Sequence, residues 1–208
     1  MMKDLRSALA AAARDFYARG WMLGTAGNLS ARRDAESFWI TASGRPKDAL
    51  TPEDFVAVDL DGQLLESGPE RRPSAETSIH RVIYRHFPSA QVIFHVHSVE
   101  ANLCGHFAKD GRLRLPPLEM LKGLGIAEVD PQIDLPVFRN HVQVEQIAED
   151  INASFGQNPP RVPGALIHLH GMTAWGAGLT EARHHLELFE FCFRYLSMAR
   201  LSGLGGES

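Results

Sequence analysis

Two short histidine motifs carry the strongest chemical signal in this sequence. His95-Val96-His97 closes the apolar run 91–96, and His168-Leu169-His170 closes another that begins at Ala165. Each run reads as a buried strand, and side chains alternate along a strand, so residues two apart share a face. Paired imidazoles bordered by Val92, Ile93, Phe94 and Val96 make an awkward core, because each buried ring nitrogen needs a partner. Neighbouring histidines on one face are instead a common start for a zinc or manganese site. Ordinary histidines bonded to backbone or side chains are the alternative. The second motif weakens it, since two such strand ends can lie side by side in a sheet. Three histidines with open positions suit catalysis, whereas four protein ligands more often build structure. Spacing leaves open whether His168 or His170 completes the set. The remaining histidines, His80, His86, His106, His141, His184 and His185, fall by default to helix surfaces or caps.

Two loops of small residues add an anion-binding signal. Gly24-Thr25-Ala26-Gly27-Asn28-Leu29-Ser30 lets backbone N–H groups approach a ligand, and its hydroxyl and amide side chains add donors. Ile40-Thr41-Ala42-Ser43-Gly44-Arg45 is similar, with a cation beside it. Taken singly, either reads as a tight turn. Neither is a Walker loop or a GxGxxG fingerprint, so no nucleotide is implied.

These groups need a scaffold, and 208 residues suffice for one domain spanning 1–208 with a sizeable core. No apolar run is long enough for a membrane span, and Met1-Met2-Lys3-Asp4-Leu5-Arg6 does not open a signal peptide. Two cysteines are too few for a disulfide framework and point to a reducing cytoplasm. A net charge of -4 argues against nucleic acid or an anionic membrane as partner. Helical spacing is expected over 3–19, after Pro73-Ser74-Ala75-Glu76 until Pro88, near 98–107, over 141–155, and from an N-cap at Thr180 to about Leu201. Strands are expected at 28–33, 38–42, 55–60, 91–96, 132–136 and 165–169, with a hairpin turn at Asp61-Gly62. Residues 111–130 read as loop and 203–208 as a flexible tail. Irregular alternation with early hairpins predicts an α/β sandwich: a mixed, mostly antiparallel sheet with helices on both faces.

In order along the chain, Gly27-Asn28-Leu29-Ser30, Thr41-Ala42-Ser43-Gly44, Pro73-Ser74-Ala75-Glu76, His95-Val96-His97 and His170-Gly171 resemble the class II aldolase family of the fuculose- and ribulose-phosphate type. The resemblance covers about residues 5 to 200 and implies a three-layer fold of that type. It also implies a divalent metal, zinc first, on His95, His97 and His170, stabilising an enediolate. Gly27, Asn28, Ser43 and Gly44 would then hold the phosphate of a phosphorylated ketose, in a homotetramer with sites near subunit interfaces. Pro116-Pro117-Leu118-Glu119-Met120-Leu121-Lys122-Gly123, His168-Leu169-His170-Gly171 and Trp175-Gly176 look like a dehydrating branch, which implies Glu119 as acid/base. The aldolases place theirs at the position matching Glu76, which stays the second candidate. Trp21, Phe107, Leu118 and Met120 are candidates to line an apolar substrate end. Two rival expectations remain: an aldolase that breaks C3–C4, and a metal-free interaction module like that of the adducins, since fold alone does not prove activity.

Overall fold

The computed structural model describes residues 4–65 and 71–204, so part of the expected tail, 205–208, lies outside the described residues. Eight strands form one sheet: β1 (Asn28–Arg32), β2 (Ser37–Thr41), β3 (Phe55–Asp59), β4 (Val92–Val96), β5 (Arg112–Arg114), β6 (Asp134–Phe138), β7 (Gly164–Ile167) and β8 (Gly171–Gly176). Their order is β3-β2-β1-β4-β8-β7-β6-β5, and among the described residues only β6 and β7 pair in parallel. The helices are α1 (Arg6–Ala18), α2 (Thr77–His86), α3 (Val99–Gly105), α4 (Val144–Gln157) and α5 (Leu179–Leu201).

Alternation along the strands divides the core in two. Leu29, Ala31, Phe94 and Val96 pack with α1, α3 and α5 through residues such as Phe16, Cys104 and Phe189. Ile40, Val58, Ile93 and Ile167 pack with α2 and α4 through Ile79, Ile83, Ile147 and Phe155. Burial of each such side chain is worth roughly 1.5–3 kcal/mol, so register is strongly specified. A one-residue slip of β4 would turn Val92, Phe94 and Val96 out of their core and drive His95 into it. Packing of the apolar residues therefore decides which face His95 occupies.

Two segments depart from expectation. The presumed loop 111–130 holds β5 and a 3-10 turn, Glu119–Leu124, whose Leu121 and Leu124 are buried. The stretch after Gly171 is a central strand, β8, paired with both β4 and β7. Its composition, Gly171-Met172-Thr173-Ala174-Trp175-Gly176, lacks the β-branched run that marks strands, and sheet pairing overrides that weak propensity. The cap of α5 also differs. Gly178 occupies the N-cap, and the Glu181 carboxylate accepts the Ala177 N–H, so Thr180 lies inside the helix.

Candidate metal centre and substrate cavity

Three neighbouring strands place polar residues side by side on the α2 face. In the ladder Asn28 lies opposite His95 and His95 opposite Thr173, so all three side chains project from one row of the sheet. Glu76 stands at the N-cap position of α2, above that row. His97 follows β4, and its N–H donates to the Trp21 carbonyl at 2.8 Å. The turn between β7 and β8 carries Leu169 at φ 50, a left-handed conformation costing on the order of 1 kcal/mol. That turn separates the two histidines of the second motif, which strand alternation alone would have placed together. His170 joins His95 and His97, while the His168 ring sits 5.4 Å from that of His106 instead.

Glycine is required twice beside these histidines. A Cβ on Gly27, which has φ +76, would lie 2.7 Å from the His95 carbonyl oxygen. At Gly171 it would collide with the Val96 carbonyl and sit 2.9 Å from the His97 ring. Both motifs that end or begin in glycine are thus close-approach points of backbone to the histidine strand.

One atom from each of Glu76, His95, His97 and His170 converges within 4.8 Å of the others. The Nε2 atoms of His95 and His97 are 2.8 Å apart, and His170 Nε2 donates to Glu76 Oε1 at 2.6 Å. His95 Nδ1 lies 2.8 Å from Thr173 Oγ1 and His170 Nδ1 3.2 Å from Asn140 Oδ1. Outer partners on Nδ1 turn Nε2 inward, the arrangement that orients imidazoles for a metal. Burial holds His95 neutral, well below the usual histidine range, and pushes His97 down to about 4. Burial works against charge on Glu76 too, but the field of His95 and the hydrogen bond from His170 outweigh it and hold the carboxylate ionised. Neutral nitrogens and one carboxylate are the protonation states a divalent metal requires. The donor set therefore fits such an ion.

The cluster opens onto a cavity of about 240 Å³. Gly27, Asn28, Ser43 and Gly44 line it together with Ser74, Glu76 and His97, so both small-residue loops and one edge of the histidine cluster share one space. Its cation is Lys47 rather than Arg45. Lys47 Nζ donates to the carbonyls of Thr25 and Arg45 at 2.8 Å each, tying the loops together, and burial lowers its pKa. The Arg45 guanidinium turns instead to Asp54, at 3.3 Å. Asn28 is 2 % exposed, with its amide between Glu76 and His80.

Glu119 lies elsewhere. It is exposed on the 3-10 turn, accepts from Lys122 Nζ at 2.9 Å, and neither lines the cavity nor joins the cluster of its own chain. Trp21, Phe107 and Leu118 pack on the α5-side core, and Met120 does not line the cavity either. A larger cavity of about 470 Å³, lined by Arg19, Trp21, Glu190 and Arg194 among others, contains none of the expected metal ligands or phosphate-loop residues. Sequence reasoning missed Thr173, Asn140, Lys47 and His80. The first belongs to the unrecognised strand β8. For His80 a signal existed: it stands four residues after Glu76, on the same helix face.

Residues 7–196 match the model of the class II aldolase and adducin N-terminal domain family, and the chain belongs to that family. Within it, the chain is 56% identical to the methylthioribulose-1-phosphate dehydratase of Microcystis aeruginosa, covering 95% of this chain and 97% of that one. It is 42% identical to the enzyme of the same name from Leptospira biflexa, over 88% and 91% of the two chains. Among solved structures, the L-fuculose-1-phosphate aldolase of Thermus thermophilus superimposes with a TM-score of 0.74 at 28% identity, covering 99% of this chain and 98% of that one.

Proposed function

We propose that this chain is a hydro-lyase that dehydrates 5-methylthioribulose 1-phosphate to 5-methylthio-2,3-diketopentyl 1-phosphate, a step of methionine salvage. The observation that carries the reading is the near full-length similarity to dehydratases of that name, in a chain whose three histidines converge with Glu76 at a cavity that Glu76, His97 and two small-residue loops line. The substrate carries a ketone at C2 and hydroxyls at C3 and C4. Dehydration removes the C3 hydrogen as a proton and the C4 hydroxyl as water, and the resulting enol tautomerises to the diketone. Zinc, held by His95, His97 and His170, would supply a Lewis acid at the C2 carbonyl where negative charge develops. Gly27, Asn28, Ser43 and Gly44 line the phosphate end, with Lys47 as the neighbouring cation. Glu119 is the acid/base that carries the proton from C3 to the departing hydroxyl. Its exposure on its own chain fits a homotetramer in which it reaches the cavity of a neighbouring subunit. Two free, buried cysteines, Cys104 and Cys192, accord with a cytoplasmic protein.

A specific observation favours a second reading. Glu76, not Glu119, stands in the cavity beside the histidines, where a class II aldolase would use a carboxylate to take the C4 hydroxyl proton and break C3–C4. A metal-free adducin-like module has no need of three converging imidazoles, so it is the weakest of the three. The discriminating experiment compares kcat/KM of the zinc-loaded protein on methylthioribulose 1-phosphate and on L-fuculose 1-phosphate. A strong preference for the former is expected. An equal or reversed preference would move the assignment to the aldolases.

A further inference from the structure

A chain of buried polar groups runs from Glu76 away from the cavity, and the chemistry described so far does not use it. Glu76 Oε2 accepts from Asn28 Nδ2. Asn28 Oδ1 is 2.6 Å from His80 Nε2, and His80 Nδ1 is 2.6 Å from Ser30 Oγ, which lies 2.9 Å from the Tyr84 hydroxyl. His80 and Ser30 are completely buried, and Tyr84 and Asn28 nearly so. The geometry follows from two periodicities. Asn28 and Ser30 share a face of β1, and Glu76, His80 and Tyr84 recur every four residues along α2. A hydrophobic side chain could fill the same volume, so a dry core gives no reason for this row.

The row has one consistent polarity while Glu76 is a carboxylate. A carboxylate only accepts, so Asn28 must turn its NH2 toward Glu76 and its carbonyl toward His80. His80 Nε2 must then carry the ring proton. Its bare Nδ1 accepts from the Ser30 hydroxyl, which in turn accepts from Tyr84, whose single proton finds Ser30 at 2.9 Å nearer than the Gln91 carbonyl at 3.5 Å. Reversing the His80 tautomer would face Asn28 the other way and set its carbonyl against the carboxylate, leaving both acceptors without a donor in a buried place.

We propose that His80 is a positioning residue for the reaction: by donating Nε2–H to Asn28 it locks that amide, and the amide in turn aims the Glu76 carboxylate at the three histidines. This inference rests on the cavity being the reaction site, and it concerns a residue that touches neither substrate nor metal.

Two substitutions separate the halves of the His80 contact. His80→Gln places an amide NH2 near the Nε2 position and keeps donation to Asn28. His80→Asn reaches only the Ser30 side and leaves the Asn28 carbonyl without its donor. Expected for H80N is a fall in kcat of about tenfold, the scale of losing an outer partner, with KM and zinc content near wild type. H80Q should retain most of the wild-type kcat. Equal kcat in both variants, whether unchanged or equally lost, would overturn the proposal. So would a loss in H80N that tracks zinc content or thermal stability alone. A second measurement is independent of turnover. In protein labelled with 15N-histidine, His80 should appear at pH 7 as the neutral Nε2–H tautomer, and the Nδ1–H tautomer or the imidazolium would overturn it. Wild-type protein that fails to dehydrate the substrate while showing the Nε2–H tautomer would count against the function and not against the His80 lock.

Discussion

Two glutamates, the half-buried Glu76 and the buried Glu190, lie on opposite faces of the sheet and meet opposite fates. Glu76 on the α2 face receives hydrogen bonds from Asn28 and His170 and faces His95 and His97 at 3.4 and 3.9 Å. Glu190 on the α5 face is 5 % exposed and receives one donor, the Ser98 hydroxyl at 2.9 Å, while its Oε2 has no partner. Burial pushes the Glu190 carboxyl up to about 8, and the nearby charge of Glu100 adds to it. Glu76 is held ionised although burial works against its charge too. The imidazoles around the carboxylate, His95 first and then the hydrogen bond from His170, and not depth, decide which one keeps its charge. A donor-rich, ionised carboxylate beside neutral imidazoles is equipped for a cation. A neutral, half-partnered one is a weak point in the packing.

This contrast can be broken from either side. The largest effect is expected from His97→Ala, which removes an inward nitrogen. Zinc content should fall, and dehydration should drop by roughly 1,000-fold, the scale of losing charge stabilisation in a transition state. Full zinc loading with unchanged turnover would remove His97 from the site. Next comes Glu119→Gln, expected to cost at least about 100-fold in kcat without loss of zinc, as for a general acid/base. Near-normal turnover would pass the role to Glu76, and Glu76→Gln then becomes the decisive variant. Thr173→Val removes the outer partner of His95 and should weaken zinc affinity by about tenfold, read from competition with a chelator. An unchanged affinity would mean that the strand alone orients the ring.

The other face yields a stability prediction. A raised folded-state pKa means that folded Glu190 keeps its proton where the unfolded chain has lost it. Its contribution is complete below the unfolded carboxylate range and is lost as pH rises toward about 8. Wild-type stability should therefore decline between pH 5 and 8 by on the order of 3 kcal/mol from this group. In Glu190→Gln that part of the slope should vanish. Urea midpoints measured across the range decide it, and an unchanged slope in the variant would show that Glu190 ionises freely. The smallest effect belongs to His168→Ala, which should leave zinc content unaltered because the Leu169 turn sends that ring toward His106.

The legible parts of this chain were those where periodicity and chemistry agree. His95 and His97 close an apolar run of period two, and the same packing that makes β4 a strand sends both to the cavity side. The small-residue loops could be read as anion cradles, although neither spacing nor composition could place them in one cavity. His170 was separated from His168 only by family resemblance, since the sequence carries no mark of a left-handed Leu169. Thr173 stayed hidden because β8 is held by its neighbours rather than by its own propensity. His80 looked like one more helix-surface histidine until the pairing of Asn28 with Glu76 gave it a partner. Glu119 could be singled out by resemblance alone, and within a single chain it stands on the surface beside Lys122.

The most direct test is the identity of the product. Zinc-loaded protein is given methylthioribulose 1-phosphate and the reaction is followed by NMR. Dehydration predicts loss of the C4 hydroxyl carbon signal and a new methylene beside a diketone. Dihydroxyacetone phosphate together with methylthioacetaldehyde would contradict it, because those fragments require the C3–C4 bond to break.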